Sequence, residues 1–77
     1  MAVSAFLFVE CAPDKVKNAL ARLRRVSGVR VAHGITGEYD LIAMISAPNV
    51  KTLGQVVLEK VQSIPGVFKT TTNLVID

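Results

Sequence analysis

The two halves of this sequence carry the same turn signals in the same order. An Ala-Pro pair precedes each of two amphipathic segments, at residues 12–13 and 47–48, and a Gly-Val pair follows each, at residues 28–29 and 66–67. Because proline is favoured in the first turn of a helix and glycine just past its end, these pairs bound two helices. Each half therefore predicts a strand, a helix and a second strand, in the overall order βαββαβ.

Four short apolar or β-branched segments supply the strands, at residues 3–10, 29–35, 39–46 and 67–76. The second segment alternates, which predicts Val29, Val31 and His33 on one side of the sheet. A glycine-containing link at residues 36–38 predicts a hairpin. Two right-handed crossovers joined by a hairpin make an α+β, ferredoxin-like fold, with a four-stranded antiparallel sheet and both helices on one face.

The predicted sheet has more apolar surface than two helices on one face can cover. Phe6 and Phe8 of the first strand, and Ile42 and Met44 of the third, point away from the helices. Hydrophobic residues are 51% of a chain of only 77 residues, a length at which a lone domain buries a modest share of its surface. The economical solution is a second copy packed sheet against sheet, which makes a dimeric α/β barrel.

Composition excludes several classes of function. A single cysteine, Cys11, and a single histidine, His33, rule out a disulfide framework and a multi-cysteine zinc site, so we expect no metal and no cofactor. The sequence has neither a signal-peptide pattern nor an apolar run of about 20 residues. We therefore expect one cytoplasmic domain, residues 1–77, without membrane association. The net charge of +3 permits an acidic partner without requiring one.

Residues 33–40 carry the candidate binding chemistry. Gly37 allows a positive-φ turn whose N–H groups can point together at a carboxylate, and Asp40 follows as an acceptor for an ammonium group. An α-amino acid zwitterion requires this pair of partners. Thr70 and Thr72 share one face of the last strand and offer hydroxyls. For the threonines, composition alone favours ordinary β-propensity as the explanation. Gly37 and Asp40 could likewise form only a braced hairpin turn, so spacing and composition do not decide between these interpretations.

The turn at residues 36–41, the Pro-Gly-Val turn at residues 65–67 and the threonine strand occur together with the βαββαβ order. In this combination nearly the whole chain resembles the C-terminal effector domain, or RAM domain, of the Lrp/AsnC transcriptional regulators. The resemblance implies homodimers that assemble into octamers or decamers, with a small amino acid bound in clefts between dimers.

The resemblance also implies which residues bind the ligand. The turn of Gly37 would contact the ligand's backbone groups, Asp40 would hold its ammonium group, and the two threonines would form the other wall. The full expected set is His33, Gly37, Glu38, Tyr39, Asp40, Thr70 and Thr72, with His33 and Tyr39 at the border of the pocket. No catalytic residue is expected.

The function implied by the resemblance is amino-acid sensing that modulates the assembly of a regulator, not catalysis. DNA-binding members of the family carry a helix-turn-helix domain ahead of this one, whereas here Met1 lies just before the first strand. We therefore expect the stand-alone form of the effector domain, which does not bind DNA directly. Such a domain could also assemble with a full-length Lrp/AsnC regulator.

Three other functions fit parts of the sequence. A small dimeric α+β-barrel enzyme, of the monooxygenase or isomerase type, would need partners for Cys11 or His33 that the sequence does not indicate. Nucleic-acid binding would use Arg22, Arg24, Arg25 and Arg30, which no aromatic stacking platform accompanies. The third is an amino-acid-binding regulatory subunit of a biosynthetic enzyme, against which only the resemblance of the turn argues.

Overall fold

The computed structural model describes residues 2–77 and confirms the predicted order of elements. The strands are β1 (Val3–Cys11), β2 (Val29–Gly34), β3 (Leu41–Ala47) and β4 (Val67–Leu74). A 3₁₀ turn, Pro13–Lys15, leads into α1 (Val16–Leu23), and α2 (Val50–Val56) continues into a π-helical turn, Val57–Val61. The strands pair antiparallel in the order β2-β3-β1-β4. The fold is therefore α+β and ferredoxin-like, as predicted.

The repeated turn signals form equivalent hydrogen bonds after the two helices. The N–H of Val29 donates to the carbonyl of Val26 at 3.1 Å after α1, and the N–H of Val67 donates to the carbonyl of Ile64 at 3.1 Å after α2. Each bond turns the chain from a helix end directly into a strand. The same local sequence thus produces the same local geometry twice.

The hydrophobic core lies between the helices and one face of the sheet. Its largest fully buried side chains are Leu7, Val9, Leu23, Leu41, Ile45 and Val61. The central strands β1 and β3 contribute every second residue, because successive side chains of a strand point to opposite faces. The sheet consequently has a helix-covered face and an open face.

The π-helical turn that extends α2 was not indicated by the sequence. The N–H of Gln62 donates to the carbonyl of Val57 at 2.9 Å, five residues earlier. Val57 and Val61 both face the core, where they are 6% and 0% exposed. Within residues 2–77, no helix has the length and apolar character needed to cross a membrane.

A bulge at Arg30 breaks the predicted alternation of β2. Val29 pairs with a core residue of β3, whereas Val31 already pairs with Met44, so one residue of β2 is left over. The prediction that Val29 shares a face with Val31 and His33 was therefore wrong. An extra residue moves every later side chain of a strand to the opposite face. Val31 and His33 lie on the open face.

The open face of the sheet carries the apolar residues predicted for it. Phe6 is paired with Met44, and Phe8 with Ile42, across the two central strands. Phe6 is 39% exposed, and Val31 adds a further apolar side chain that is 51% exposed. These five residues, called the open-face cluster below, form a contiguous apolar surface that no element of residues 2–77 covers.

Candidate functional site

The link between β2 and β3 is longer than the sequence predicted. It runs over residues 35–40, and the N–H of Ile35 donates to the carbonyl of Asp40 at 2.9 Å across its base. Gly37 at its tip has φ +106°, and no atom lies within 4 Å of where a Cβ would stand. The N–H groups of Thr36, Gly37 and Glu38 make no hydrogen bond within residues 2–77. The N–H of Tyr39 is unused as well, so the turn has four main-chain donors without a partner in residues 2–77, three of them in exposed residues.

Asp40 anchors this turn to β1. Its N–H donates to the carbonyl of Val9 at 2.9 Å, and its side-chain Oδ2 accepts the N–H of Cys11 at 2.8 Å. Since Val9 pairs with Leu41, the register would place Tyr39 opposite Cys11 if β3 began at residue 39, as predicted. The chain leaves the ladder before that point. The Asp40 carboxylate then replaces the carbonyl that the ladder would have supplied.

The second oxygen of the Asp40 carboxylate, Oδ1, accepts no hydrogen bond from residues 2–77. Asp40 is half-buried, and its bond to Cys11 holds the carboxylate in place. One oxygen of the carboxylate is therefore used by the fold, and the other has no hydrogen-bond partner within residues 2–77. Sequence reasoning offered Asp40 only as a local brace of the hairpin and missed this bond to β1, because the contact joins residues 29 positions apart.

Tyr39 and His33 lie on the open-face side of the sheet. The ring of Tyr39 packs against that of Phe8, with centroids 5.1 Å apart and planes inclined by 39°, a favourable tilted arrangement. His33 is exposed on the edge strand β2 and pairs with Ile42. Both residues therefore border the open-face cluster as well as the turn that carries Gly37.

Thr70 and Thr72 lie on the other face and at the other edge of the sheet. They pair with Val9 and Leu7, whose side chains are in the core, so the two threonines share a face, as predicted. The Nε2 of Gln62 donates to Oγ1 of Thr70 at 2.9 Å, which fixes that hydroxyl beside the end of α2.

One chain does not assemble the expected binding residues into one pocket. The segment from Gly37 to Asp40 forms a single continuous turn with Tyr39 inside it, and His33 lies nearby on β2. Thr70 and Thr72 are on β4, which the strands β3 and β1 separate from β2. A site that includes both groups needs a second copy of the chain.

The geometry is unfavourable for catalysis by Cys11. Burial, and secondarily the negative charge of Asp40, raise the pKa of the Cys11 thiol above its ordinary value of 9.0. The Cys11 thiol is buried at the end of β1, whereas the His33 side chain is exposed on the open face of the sheet, on β2. The two side chains therefore cannot form a nucleophile–base pair. Residues 2–77 also contain no group of three or more His, Cys, Asp or Glu side chains suited to a metal ion.

These features define a class of protein: a small ferredoxin-like domain with one helix-covered face, one open apolar face and an exposed donor turn at the sheet's end. The sequence model of the Lrp/AsnC ligand binding domain family matches residues 4–77. The chain belongs to that family.

Similar proteins include transcriptional regulators and solved domains of the same fold. An uncharacterized HTH-type transcriptional regulator of Pyrococcus horikoshii is 29% identical over 75 residues, which cover 94% of this chain and 50% of the regulator. The structure of TTHA0845 from Thermus thermophilus matches with a TM-score of 0.93 and 27% identity, over 97% of this chain and 94% of that one. E. coli AsnC matches with a TM-score of 0.92 and 25% identity, over 97% and 51%.

The chain spans about half the length of the curated regulators that it matches. A homocitrate synthase of Sulfurisphaera tokodaii also contains a similar segment, 29% identical over 75 residues, which cover 96% of this chain and 16% of the enzyme. The family match and the regulator relatives support a regulatory effector domain.

Proposed function

We propose that this domain binds a small amino acid at the β2–β3 turn and that binding regulates its assembly with further copies. The proposal rests on two features of the same turn. Three exposed main-chain donors are unused, and Oδ1 of Asp40, at the base of the turn, accepts no hydrogen bond within residues 2–77. Donors and an acceptor arranged in this way complement both charges of a zwitterion.

The ligand's carboxylate would accept the N–H groups of Thr36, Gly37 and Glu38. A positive φ at Gly37 is the backbone geometry in which successive N–H groups form an anion-binding concavity. The ligand's ammonium group would donate to Oδ1 of Asp40, a charge-assisted bond that is stronger than one between neutral groups. Tyr39 and His33 would contact the ligand's side chain and would set its preferred size.

The second wall of the site would come from another copy. The turn is exposed in one chain, and ligand sites usually enclose most of their ligand. Thr70 and Thr72 lie at the opposite edge of the sheet, so they would reach the ligand from a neighbouring subunit. Amino-acid binding and assembly would then be linked, since each favours the other.

The proposed assembly begins with a dimer. The open-face cluster of one chain would pack against that of a second copy, because contiguous apolar surface of this kind is rarely left in water. Dimers would assemble further into octamers or decamers, which is the arrangement that the family resemblance implies. Co-assembly with a full-length Lrp/AsnC regulator would use the same surfaces.

Calorimetric titration with each of the twenty amino acids tests the proposed site. Asp40→Asn is the informative variant, because an amide oxygen can still accept the Cys11 N–H while the charge that attracts an ammonium group is lost. We expect wild type to bind at least one amino acid and Asp40→Asn to bind it about tenfold more weakly or worse. Glu59→Gln, which removes one negative charge from an exposed residue after α2 and leaves the turn untouched, serves as the control and should retain binding.

Failure of all twenty amino acids to bind the assembled wild-type protein would overturn the proposed site. So would unchanged affinity in Asp40→Asn with its fold intact by circular dichroism. Affinity that does not fall as the protein is diluted would contradict the shared pocket while leaving the turn itself as the site.

A further inference from the structure

A groove of about 620 Å³ lies between the C-terminal ends of α1 and α2, far from the β2–β3 turn. Its floor is apolar and consists of Val26, Val56 and Ile64. Its rim is polar and carries Arg22, Arg25, Lys60, Glu59, Ser27 and Ser63. This volume is within the usual range for small-molecule sites, roughly 300–1,000 Å³.

Arg22 and Arg25 also line a second cleft, of about 270 Å³, together with Lys15 and Asn18. The two arginines therefore stand as a ridge between two adjacent depressions. Arg22 lies in the last turn of α1 and Arg25 in the turn that follows it, where the N–H of Arg25 donates to the carbonyl of Arg22 at 3.0 Å, so the two residues lie close together. Both guanidinium groups can reach one phosphate group from this ridge.

The cations of this surface have no acidic partner in the part of the chain that the structure describes. In residues 2–77 none of Lys15, Arg22, Arg25 and Lys60 lies within 4 Å of a carboxylate, whereas Lys69 pairs with Glu10 at 3.7 Å elsewhere. With Glu59 as the single acid of the rim, the surface carries a net charge as large as that of the whole chain. The chain's positive charge is therefore concentrated here.

Arg24, the residue that directly follows α1, has a structural role. Its Nε and Nη2 donate to the carbonyl of Ala32 at 3.1 and 2.9 Å, which ties the end of α1 to β2. Arg22 and Arg25 make no such bond within residues 2–77. Their donors remain available to a ligand.

The ends of the helices oppose an anion only weakly. Each helix C-terminus contributes roughly half a negative charge, and the two together amount to about one. The four cations exceed this charge and that of Glu59 combined. The surface remains attractive to anions, most of all at low ionic strength, where screening is weak.

We propose that this groove is a second ligand site, which binds the phosphate groups of a small phosphorylated metabolite. The arginine ridge would hold the phosphate through paired N–H donors, and the Ser27 hydroxyl would add a further donor. The apolar floor would accept the rest of the molecule. A concave site of this size suits a small molecule better than duplex DNA, whose backbone needs an extended surface. This inference is independent of the proposed amino-acid site.

Titration of the whole chain with inorganic pyrophosphate, in low-salt buffer, tests the site. The variant Arg22→Gln/Arg25→Gln removes the ridge. Lys17→Gln/Arg30→Gln removes the same amount of charge from exposed residues that line neither cleft. We expect the first variant to weaken binding about tenfold or more, and the second less than about twofold. Thermal unfolding of both variants without ligand confirms that they are folded.

Three results would overturn the site. The first is the absence of saturable pyrophosphate binding by wild type, and the second is an equal loss of affinity in both double variants. The third is a DNA duplex of about 20 base pairs that binds through the same arginines more tightly than pyrophosphate does. Because neither variant touches the β2–β3 turn, amino-acid titrations of the same proteins report separately on the proposed function.

Discussion

The Asp40 side chain accepts the main-chain N–H of Cys11 at 2.8 Å. Asp40 directly precedes β3, and Cys11 is the last residue of β1. β1 also carries a register shift between Glu10 and Cys11, after which Cys11 pairs with Val67 of β4. A carboxylate thus completes the sheet at an irregular corner. The same residue stands at the base of the donor turn, so the structural bond also positions the candidate site.

Replacement of Asp40 should separate its structural role from its charge. Asp40→Ala leaves the Cys11 N–H without its acceptor, which costs about 1–3 kcal/mol of unfolding free energy. Asp40→Asn can keep an acceptor and should lose less than half as much. Urea denaturation followed by circular dichroism measures both values. Equal losses in the two variants would mean that the negative charge, not the hydrogen bond, stabilises this corner.

Cys11 should make stability depend on alkaline pH. Its folded-state pKa is raised above 9.0, first by burial and then by the charge of Asp40. Above pH 9 the unfolded chain therefore releases the thiol proton while the folded chain keeps it. The stability is fully present below about pH 9 and falls as pH rises, by at most about 1.4 kcal/mol per pH unit.

Urea denaturation between about pH 7 and 10.5 measures this dependence. Cys11→Ala retains the main-chain N–H but has no thiol to titrate, so it should lose this component of the alkaline decline. A Cys11→Ala protein whose stability falls as steeply as that of wild type would show that another group is responsible.

Gly66 should not tolerate a side chain. It has φ +93°, and an added Cβ would overlap the Cβ and Cγ of Lys15, while its carbonyl accepts the N–H of Ala12 at 2.9 Å. Gly66→Ala should therefore destabilise the domain by more than about 1 kcal/mol. Thermal unfolding at constant protein concentration measures the change.

Gly54 provides a matched control for that substitution. It lies in the interior of α2, is exposed, and has no atom within 4 Å of an added Cβ. Gly54→Ala should stabilise the domain by up to about 1 kcal/mol, because alanine is the better helix former. A destabilising Gly54→Ala would indicate that another subunit approaches α2 closely at this residue.

The open-face cluster should control the proposed dimer. Phe6→Lys introduces a charge at its centre, so we expect sedimentation velocity to show monomers where wild type shows dimers or larger species. Val50→Lys changes an apolar residue that is 54% exposed on α2, on the helix side of the sheet, and should leave the dimer unchanged. Wild-type monomers at micromolar concentration would contradict the proposed assembly.

Several features of the fold could be predicted because they depend on neighbouring residues. The Ala-Pro and Gly-Val pairs bounded both helices, and the alternation of Phe6, Leu7 and Phe8 correctly divided β1 between two faces. The candidate turn was also visible, since Gly37 adopts the positive φ that its type favours. Its role as a ligand site stays a prediction.

Other features became visible only in three dimensions. The bulge at Arg30 and the bond from Cys11 to Asp40 depend on a register or contact between distant segments. The π-helical turn after Val56 is local, yet no turn residue in the sequence indicated it. The sequence showed Arg22, Arg24 and Arg25 only as neighbouring positive charges. The structure distinguishes them, because Arg24 is bonded to β2 whereas Arg22 and Arg25 are not.

The sequence by itself determined the order of the elements and the inward face of most of them, because hydrophobic periodicity and turn preferences are local properties of the chain. The tertiary structure alone decided which polar groups are already occupied and which remain free, because hydrogen-bond partners are chosen by contacts across the sheet. That is why Asp40 could be recognised as a candidate from the sequence, whereas the use of only one of its two oxygens by the fold could not.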